Sequence, residues 1–242
     1  MVRTAVILAA GLGSRLKHHT EAQPKGFLTI DGVSLIERSL DNLVNAGIEE
    51  IVIGTGYRHT HFEQLKKKFP VVTRRNEDFA TTGSMYTLYQ LRDLVNDGFL
   101  LLESDLLYEP AALTHLLQDE QHDVILASGR TQSGDEVYIE ANDDGLLVQM
   151  SKDKSLLKYI SGELVGITKL SVDTLNRISE FAAKEFERGN KFLNYEDALV
   201  GIASMKPIHI KLVEDLVWCE IDDEQHLERA LKSIYPKIQS KQ

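Results

Sequence analysis

The chain has 242 residues, 43% of them hydrophobic, and carries 27 Lys+Arg against 37 Asp+Glu for a net charge of -10. That suffices for one α/β domain with a large core, expected over residues 1–242, and an acidic balance without a clustered basic face excludes nucleic acid as a partner. The single Cys219 excludes a disulfide framework and a cysteine-rich zinc site, and no apolar run approaches the ~20 residues of a bilayer span, so a cytoplasmic protein with no membrane partner is expected.

The start, Met1-Val2-Arg3-Thr4, runs into a strand over 4–8 without a signal-peptide pattern. Residues 34–46 place Leu35, Ile36, Leu40, Leu43 and Val44 at helical spacing, Gly47 ends that helix, and a strand over 51–53 completes a βαβ unit. Next come a helix over 58–69, with Lys66, Lys67 and Lys68 at its solvated end, a strand over 71–73, and a helix over 84–94 with Ser84 as N-cap. Residues 99–102 form an apolar strand whose continuation, Glu103-Ser104-Asp105, is polar, and open α/β sheets place ligands at such strand ends. After Pro110 a helix leads to a strand over 123–127. The pattern then changes: strands over 137–140 and 146–150 are joined by Asn142-Asp143-Asp144-Gly145, a hairpin signal that predicts an antiparallel part. Strands over 163–168, near 208–212 and over 217–221, with helices over 172–188, 196–204 and 224–234, complete an α/β pattern.

The first strand is followed at once by Leu8-Ala9-Ala10-Gly11-Leu12-Gly13-Ser14-Arg15. Small residues there let successive backbone N–H groups cradle a phosphate. A dinucleotide fingerprint needs a third glycine where Leu16 stands, and a P-loop needs Gly-Lys-Ser/Thr, so neither is matched. Arg15 and, after Pro24, Lys25 add the cations that a polyphosphate requires, against the alternative of a surface turn with solvated charges. Alternation over 217–222 places Trp218, Glu220 and Asp222 on one face, while Asp223 reads as the N-cap of the last helix.

The run from Leu8 to Arg15 with Pro24-Lys25 resembles the signature of the nucleotidyltransferases that act on sugar phosphates and related alcohol phosphates, with three later motifs in the same order. The resemblance implies a Rossmann-like three-layer α/β/α sandwich of the GT-A type, with a mixed, mainly parallel sheet and a small antiparallel lobe. It further implies that Leu8, Ala9, Ala10, Gly11 and Gly13 wrap a nucleoside triphosphate and that Arg15 and Lys25 are catalytic. Asp105 and Asp222 would be ligands of Mg2+, Asp105 also facing the nucleotide, and Thr82, Gly83 and Ser84 would contact the base. Lys152 matches a lysine that touches the α-phosphate or the acceptor, although exposed charge, or Lys154 in its place, are competing readings.

The segments 82–85, 163–167, 195–199 and 218–222 look most like the branch of cytidylyltransferases for phosphocholine and 2-aminoethylphosphonate, which implies CTP as donor. An acceptor with an anionic phosphorus group and a cationic amine needs carboxylates or aromatic faces, for which Glu163, Tyr195, Glu196 and Asp197 are the candidates. Tyr195-Glu196-Asp197 also reads as an ordinary capped helix start. Acidic residues outnumber aromatics in these segments, which points toward 2-aminoethylphosphonate. Rival readings are a sugar-1-phosphate uridylyl- or thymidylyltransferase, a GT-A glycosyltransferase, and a non-catalytic nucleotide-binding regulatory protein. A homodimer is compatible with all of them.

Overall fold

The first half alternates strands and helices: β1 (Thr4–Ala9), β2 (Thr29–Ile30), β3 (Val33–Ser34), α1 (Leu35–Asn45), β4 (Glu50–Thr55), α2 (Thr60–Glu63), β5 (Val71–Arg75), α3 (Ser84–Leu91), β6 (Phe99–Glu103), β7 (Leu106–Tyr108) and α4 (Ala111–Leu117). The second adds β8 (Val124–Ser128), β9 (Tyr138–Ala141), β10 (Leu147–Ser151), β11 (Gly162–Leu170), α5 (Val172–Glu187), α6 (Tyr195–Ile202), β12 (His209–Val213), β13 (Trp218–Glu220), α7 (Glu224–Arg229) and α8 (Tyr235–Ser240). This computed structural model describes residues 2–241, the side chains of Lys17 and His18 excepted, so Met1 and Gln242, the ends of the expected domain, lie outside it.

Strand β1 is buried along its whole length because both its faces are covered. Its residues Ala5, Ile7 and Ala9 pack with Ile36 of α1, Phe62 of α2 and Leu113 of α4. Val6 and Leu8 point the other way, onto Met85 of α3, Ile178 of α5 and Leu199 of α6. Side chains alternate across a strand, so one apolar hexapeptide glues two helical layers to one sheet. A third, smaller core joins Leu16, Leu28, Leu107 and Ile221 to Ile234 and Ile238 near the C-terminus.

The sheet has nine strands, ordered β10-β9-β11-β6-β1-β4-β5, with β8 bridging β11 to β12. Strand β1 is parallel to β4 and β6, β4 to β5, and β8 to β12. Strand β11 is antiparallel to β6, β8 and β9. The 142–145 turn joins β9 and β10 as the hairpin signal predicted. The layered α/β/α architecture expected of the chain, with a mixed, mainly parallel sheet, is therefore present, and two-stranded antiparallel ladders β2-β3 and β7-β13 are added to it.

Departures from the sequence reading have local causes. Arg58 sits at φ 50°, outside the right-handed region, so the helix expected over 58–69 starts only at Thr60 and tightens into a 3-10 turn at Gln64–Lys67. The expected 84–94 helix likewise ends in a 3-10 turn, Arg92–Leu94. The last helix does not stop at 234. A π-helical turn, Ala230–Ile234, widens the spiral just before Pro236, which lacks an N–H, and the chain continues as α8. Ladder β2-β3 and strand β7 are two- and three-residue strands, too short for a period-2 signal, whereas β13 falls inside the strand expected over 217–221.

Candidate active site

Because β1 and β6 are parallel neighbours, their carboxyl ends lie side by side, with Leu8 paired to Glu103. The chain leaves β1 through the glycine-rich loop and β6 through Ser104 and Asp105, and a cleft of about 440 Å³ opens there. Of the residues expected to bind nucleotide, Leu8, Ala9, Gly11, Gly13, Ser84 and Asp105 line it, together with Arg15, Lys25, Lys152, Tyr195, Glu196 and Asp222. Residues up to 214 apart in sequence, Leu8 and Asp222, thus face one space.

Five expected site residues lie outside that lining. The Ala10 carbonyl accepts the Tyr57 N–H at 3.3 Å. Thr82 Oγ1 accepts from Asn76 Nδ2 at 2.9 Å and donates to the Asp78 carbonyl at 3.0 Å. A Cβ at Gly83 would stand 2.3 Å from the Leu193 carbonyl oxygen, so glycine there permits the 192–193 backbone to close on α3. Gly83, not Ser84, is the N-cap of α3; the Ser84 hydroxyl is instead drawn to the next helix, where it accepts the Tyr195 N–H at 3.0 Å. Glu163 is buried away from the cleft, its Oε2 accepting the Thr131 N–H at 2.7 Å, and it borders another hollow with Gly129 and Arg130. Asp197 Oδ2 accepts the Asn194 N–H at 3.1 Å, closing the start of α6. Asp223 caps α7 as expected, accepting the His226 N–H at 2.9 Å.

Charge converges on Lys25. Its Nζ donates to Asp105 Oδ2 at 2.5 Å and to Asp222 Oδ1, with Glu220 Oε1 3.8 Å away. A Cβ at Gly26 would lie 2.9 Å from the Ser104 carbonyl oxygen, so a bare glycine lets the turn after Pro24 press against the end of β6 and aim Lys25 at Asp105. Burial works against the Lys25 ammonium, but Asp105, Asp222 and Glu220 more than offset it and raise its pKa overall. Asp222 also accepts from Arg15 Nη2 at 2.8 Å, so both expected metal carboxylates already share a cation, the lysine ammonium.

Their remaining oxygens are free. Among the described residues, Asp105 Oδ1 and Asp222 Oδ2 are buried without a hydrogen-bond partner, and Glu103, Asp105 and Glu220 offer oxygens within 4.8 Å of one another. Enclosed, unpartnered carboxylate oxygens beside a phosphate-sized cleft suit a hard divalent ion such as Mg2+, so the donor set fits that group.

An inner pocket of about 90 Å³ adjoins the cleft through Glu103, Lys152 and Glu196. Glu220, Trp218, Asp135 and Glu136 also line it. Burial, reinforced by the Asp105 charge, pushes the Glu103 carboxyl up to about 7. Burial and Glu103 push Glu196 to about 8, and burial with Asp105 and Glu103 pushes Glu220 to about 10. Tyr195 Oη donates to Glu103 Oε1 at 2.7 Å, whereas Glu196 Oε2 and Trp218 Nε1 are buried without partners. Three partly buried carboxyls crowded at one recess repel one another and favour the uptake of protons or a cation. Lys154 stands apart, its ammonium 4.4 Å over the Tyr138 ring, which leaves Lys152 as the lysine on the cleft.

A profile for the MobA-like NTP transferase domain matches residues 5–178, well over half of the chain. The chain belongs to that family. Within the matched NTP transferase span lie Arg15, Lys25, Asp105 and Lys152, whereas Tyr195, Glu196, Glu220 and Asp222 come from beyond it. Among relatives, a choline-phosphate cytidylyltransferase of Streptococcus pneumoniae is 26% identical over 95% of this chain and 98% of its own length. A 2-aminoethylphosphonate cytidylyltransferase of Lancefieldella rimae is 27% identical over 90% and 87%. A choline-phosphate cytidylyltransferase of Haemophilus influenzae reaches 43% identity, over 40% of this chain and 42% of that protein. The fold is shared with a phosphocholine cytidylyltransferase of Streptococcus pneumoniae (TM-score 0.80, 23% identity, 96% of this chain and 99% of that one). It is shared equally with an inositol-1-phosphate CTP transferase of T. maritima (TM-score 0.81, 22% identity, 99% and 96%). The NTP transferase fold is thus established for this chain, and its pockets carry the question of substrates.

Asp135 has no mark in the sequence, and Glu103 is marked there only as part of the polar continuation of the strand over 99–102, with no role of its own. The sequence shows Glu103 as an acidic residue at a strand's carboxyl end, and the register of β6 against β1 sets it in the wall of both pockets. Asp135 lies in a loop without periodicity, where no sequence signal separates it from the other acidic residues.

Proposed function

We propose that the chain is a cytidylyltransferase that moves CMP from CTP to a small phosphate or phosphonate bearing a cationic amine, phosphocholine or 2-aminoethylphosphonate, with release of pyrophosphate. The observation that carries this reading is the inner pocket: Glu103, Glu196 and Glu220 surround a recess next to the phosphate cleft, the surroundings a cation needs and a neutral sugar does not. Similarity to cytidylyltransferases for these two acceptors supports it.

In this reading CTP lies along the loop 9–15 with its phosphates toward Arg15 and Lys25, and Ser84 faces the base. An oxygen of the acceptor attacks the α-phosphorus; the new P–O bond forms as the bond to the bridging oxygen breaks, and pyrophosphate leaves with that electron pair. The attacking oxygen is already anionic, so no general base is required. Mg2+, when bound through Asp105 and Asp222, supplies neutralisation of charge on the phosphate oxygens. Lys25 holds the two carboxylates together, Arg15 and Lys152 steady the transferring group, and the inner carboxyls seat the amine.

Pyrophosphate release is the assay. CTP, UTP, dTTP and GTP are each paired with phosphocholine, 2-aminoethylphosphonate and a set of sugar 1-phosphates, with and without Mg2+. Turnover confined to CTP with an amine-bearing acceptor is expected. Turnover with UTP or dTTP and a sugar phosphate would replace this reading with the sugar nucleotidyltransferase one, and CTP binding without pyrophosphate release would replace it with a regulatory one.

A further inference from the structure

Asp135 holds Arg15 and Lys152 together. Its Oδ2 accepts from Arg15 Nη1 and its Oδ1 from Lys152 Nζ, both at 2.7 Å. The two cations are long and half exposed, 55% and 56%, and one comes from the glycine-rich loop while the other follows β10. Left alone, side chains of this kind spread over many rotamers, which costs up to about 2 kcal/mol each to order. Position decides what the carboxylate does. Arg15 and Lys152 line the cleft, Asp135 lines only the inner pocket, and Lys152 borders both. The carboxylate therefore stands behind the cations as seen from the cleft. It takes one donor of Lys152 and one of Arg15, whose other terminal nitrogen already meets Asp222, so each cation keeps further N–H groups for a phosphate.

The loop bearing Asp135, residues 129–137, is itself pinned. Thr131 N–H donates to Glu163 Oε2 at 2.7 Å, Arg229 Nη2 donates to the Thr131 carbonyl at 2.8 Å, and His226 Nε2 lies 3.2 Å from the Ser133 carbonyl oxygen. Glu163, expected from the sequence to touch substrate, thus serves as one of the loop's anchors.

We propose that Asp135 is a positioning residue, which brackets Arg15 and Lys152 at the boundary between cleft and inner pocket, where a group passing from one substrate to the other must sit. This rests on the transferase reading, and an arm of the test is independent of turnover. With CTP, Mg2+ and 2-aminoethylphosphonate or phosphocholine, Asp135→Asn is expected to lower kcat about tenfold and to raise KM for CTP by the smaller factor of about three to five. Asp135→Glu is expected to recover part of the rate. In a Lys152→Ala background the same Asp135→Asn change is expected to alter kcat only about threefold, since the share of its effect that runs through the lysine is gone and the share through Arg15 remains. Separately, the Kd of magnesium CTP is measured by calorimetry for wild type, Arg15→Ala, Asp135→Asn and the double variant. A loss from Arg15→Ala that shrinks at least threefold once Asp135 is gone supports the bracket. Additive effects in both cycles, or tighter CTP binding by Asp135→Asn, would overturn it. A wild-type chain that binds magnesium CTP and releases no pyrophosphate defeats the transferase reading alone, and the binding cycle then decides the role of Asp135.

Discussion

Lys25 lies where three acidic side chains would otherwise repel one another, and this shapes what its loss should do. Lys25→Ala is expected to lower turnover about a hundredfold or more, the usual scale for removing one preorganised electrostatic contact. It also leaves Asp105 without its cation and Asp222 with Arg15 alone. Its melting temperature in EDTA should therefore fall below that of wild type and recover more steeply than wild type as Mg2+ is added, which a thermal melt measures. An identical Mg2+ response in the two proteins would argue that these carboxylates do not share an ion. Glu196 carries a pH signature of its own. Its carboxyl is raised to about 8 from an ordinary 4.5, chiefly by burial, so the folded chain holds a proton that the unfolded chain releases at lower pH. The sign follows: this group's contribution is fully present below about 4.5 and is lost as pH rises toward 8. Glu196→Gln is expected to flatten the decline of stability between those pH values, read from denaturant melts without ligand.

At the scale of elements, helices α3 and α6 share their starts. Ser84 takes the Tyr195 N–H, Gly83 donates to the Lys191 carbonyl at 2.8 Å, and Asp197 closes α6 on Asn194. The expected assignment of Asp197 to substrate and its observed place in a cap lead to opposite outcomes. Asp197→Ala should cost roughly 1 kcal/mol of stability and leave KM for the acceptor unchanged. A KM raised tenfold at unchanged stability would return Asp197 to the binding site. A short element explains where the sequence was silent: β7 is three residues long, yet its pairing with β13, which lies inside the strand expected over 217–221, sets Glu220 opposite Leu106 and carries Glu220 and then Asp222 to the end of β6.

At the scale of the molecule, two pockets meet over the carboxyl ends of β1 and β6, and the chain's only tryptophan, Trp218, lines the inner one. Its emission is therefore expected to change when 2-aminoethylphosphonate or phosphocholine is added to the complex with magnesium CTP, and to stay constant with glucose 1-phosphate. A spectrum insensitive to every acceptor would move the acceptor site elsewhere. The acidic surplus of the whole chain, 37 Asp+Glu against 27 Lys+Arg, makes the few cations that do reach the cleft, Arg15, Lys25 and Lys152, all the more decisive for polyphosphate.

Local signals were enough for much of this architecture. The apolar runs at β1 and β6, the helical spacing of α1, the hairpin turn after β9 and the small residues from Ala9 to Gly13 each act within a few neighbouring residues, and their physics is visible along the chain. The same holds for Asp223, whose capping bond spans three residues. Distances in space are another matter. That Glu103, Glu196 and Glu220 crowd into one recess, that Asp135 ties Arg15 to Lys152, and that Glu163 anchors a loop instead of lining the cleft all depend on strand register and on loops folding back over the sheet. Those relations join residues up to 120 positions apart, and contacts of that range leave no period or spacing in the sequence itself.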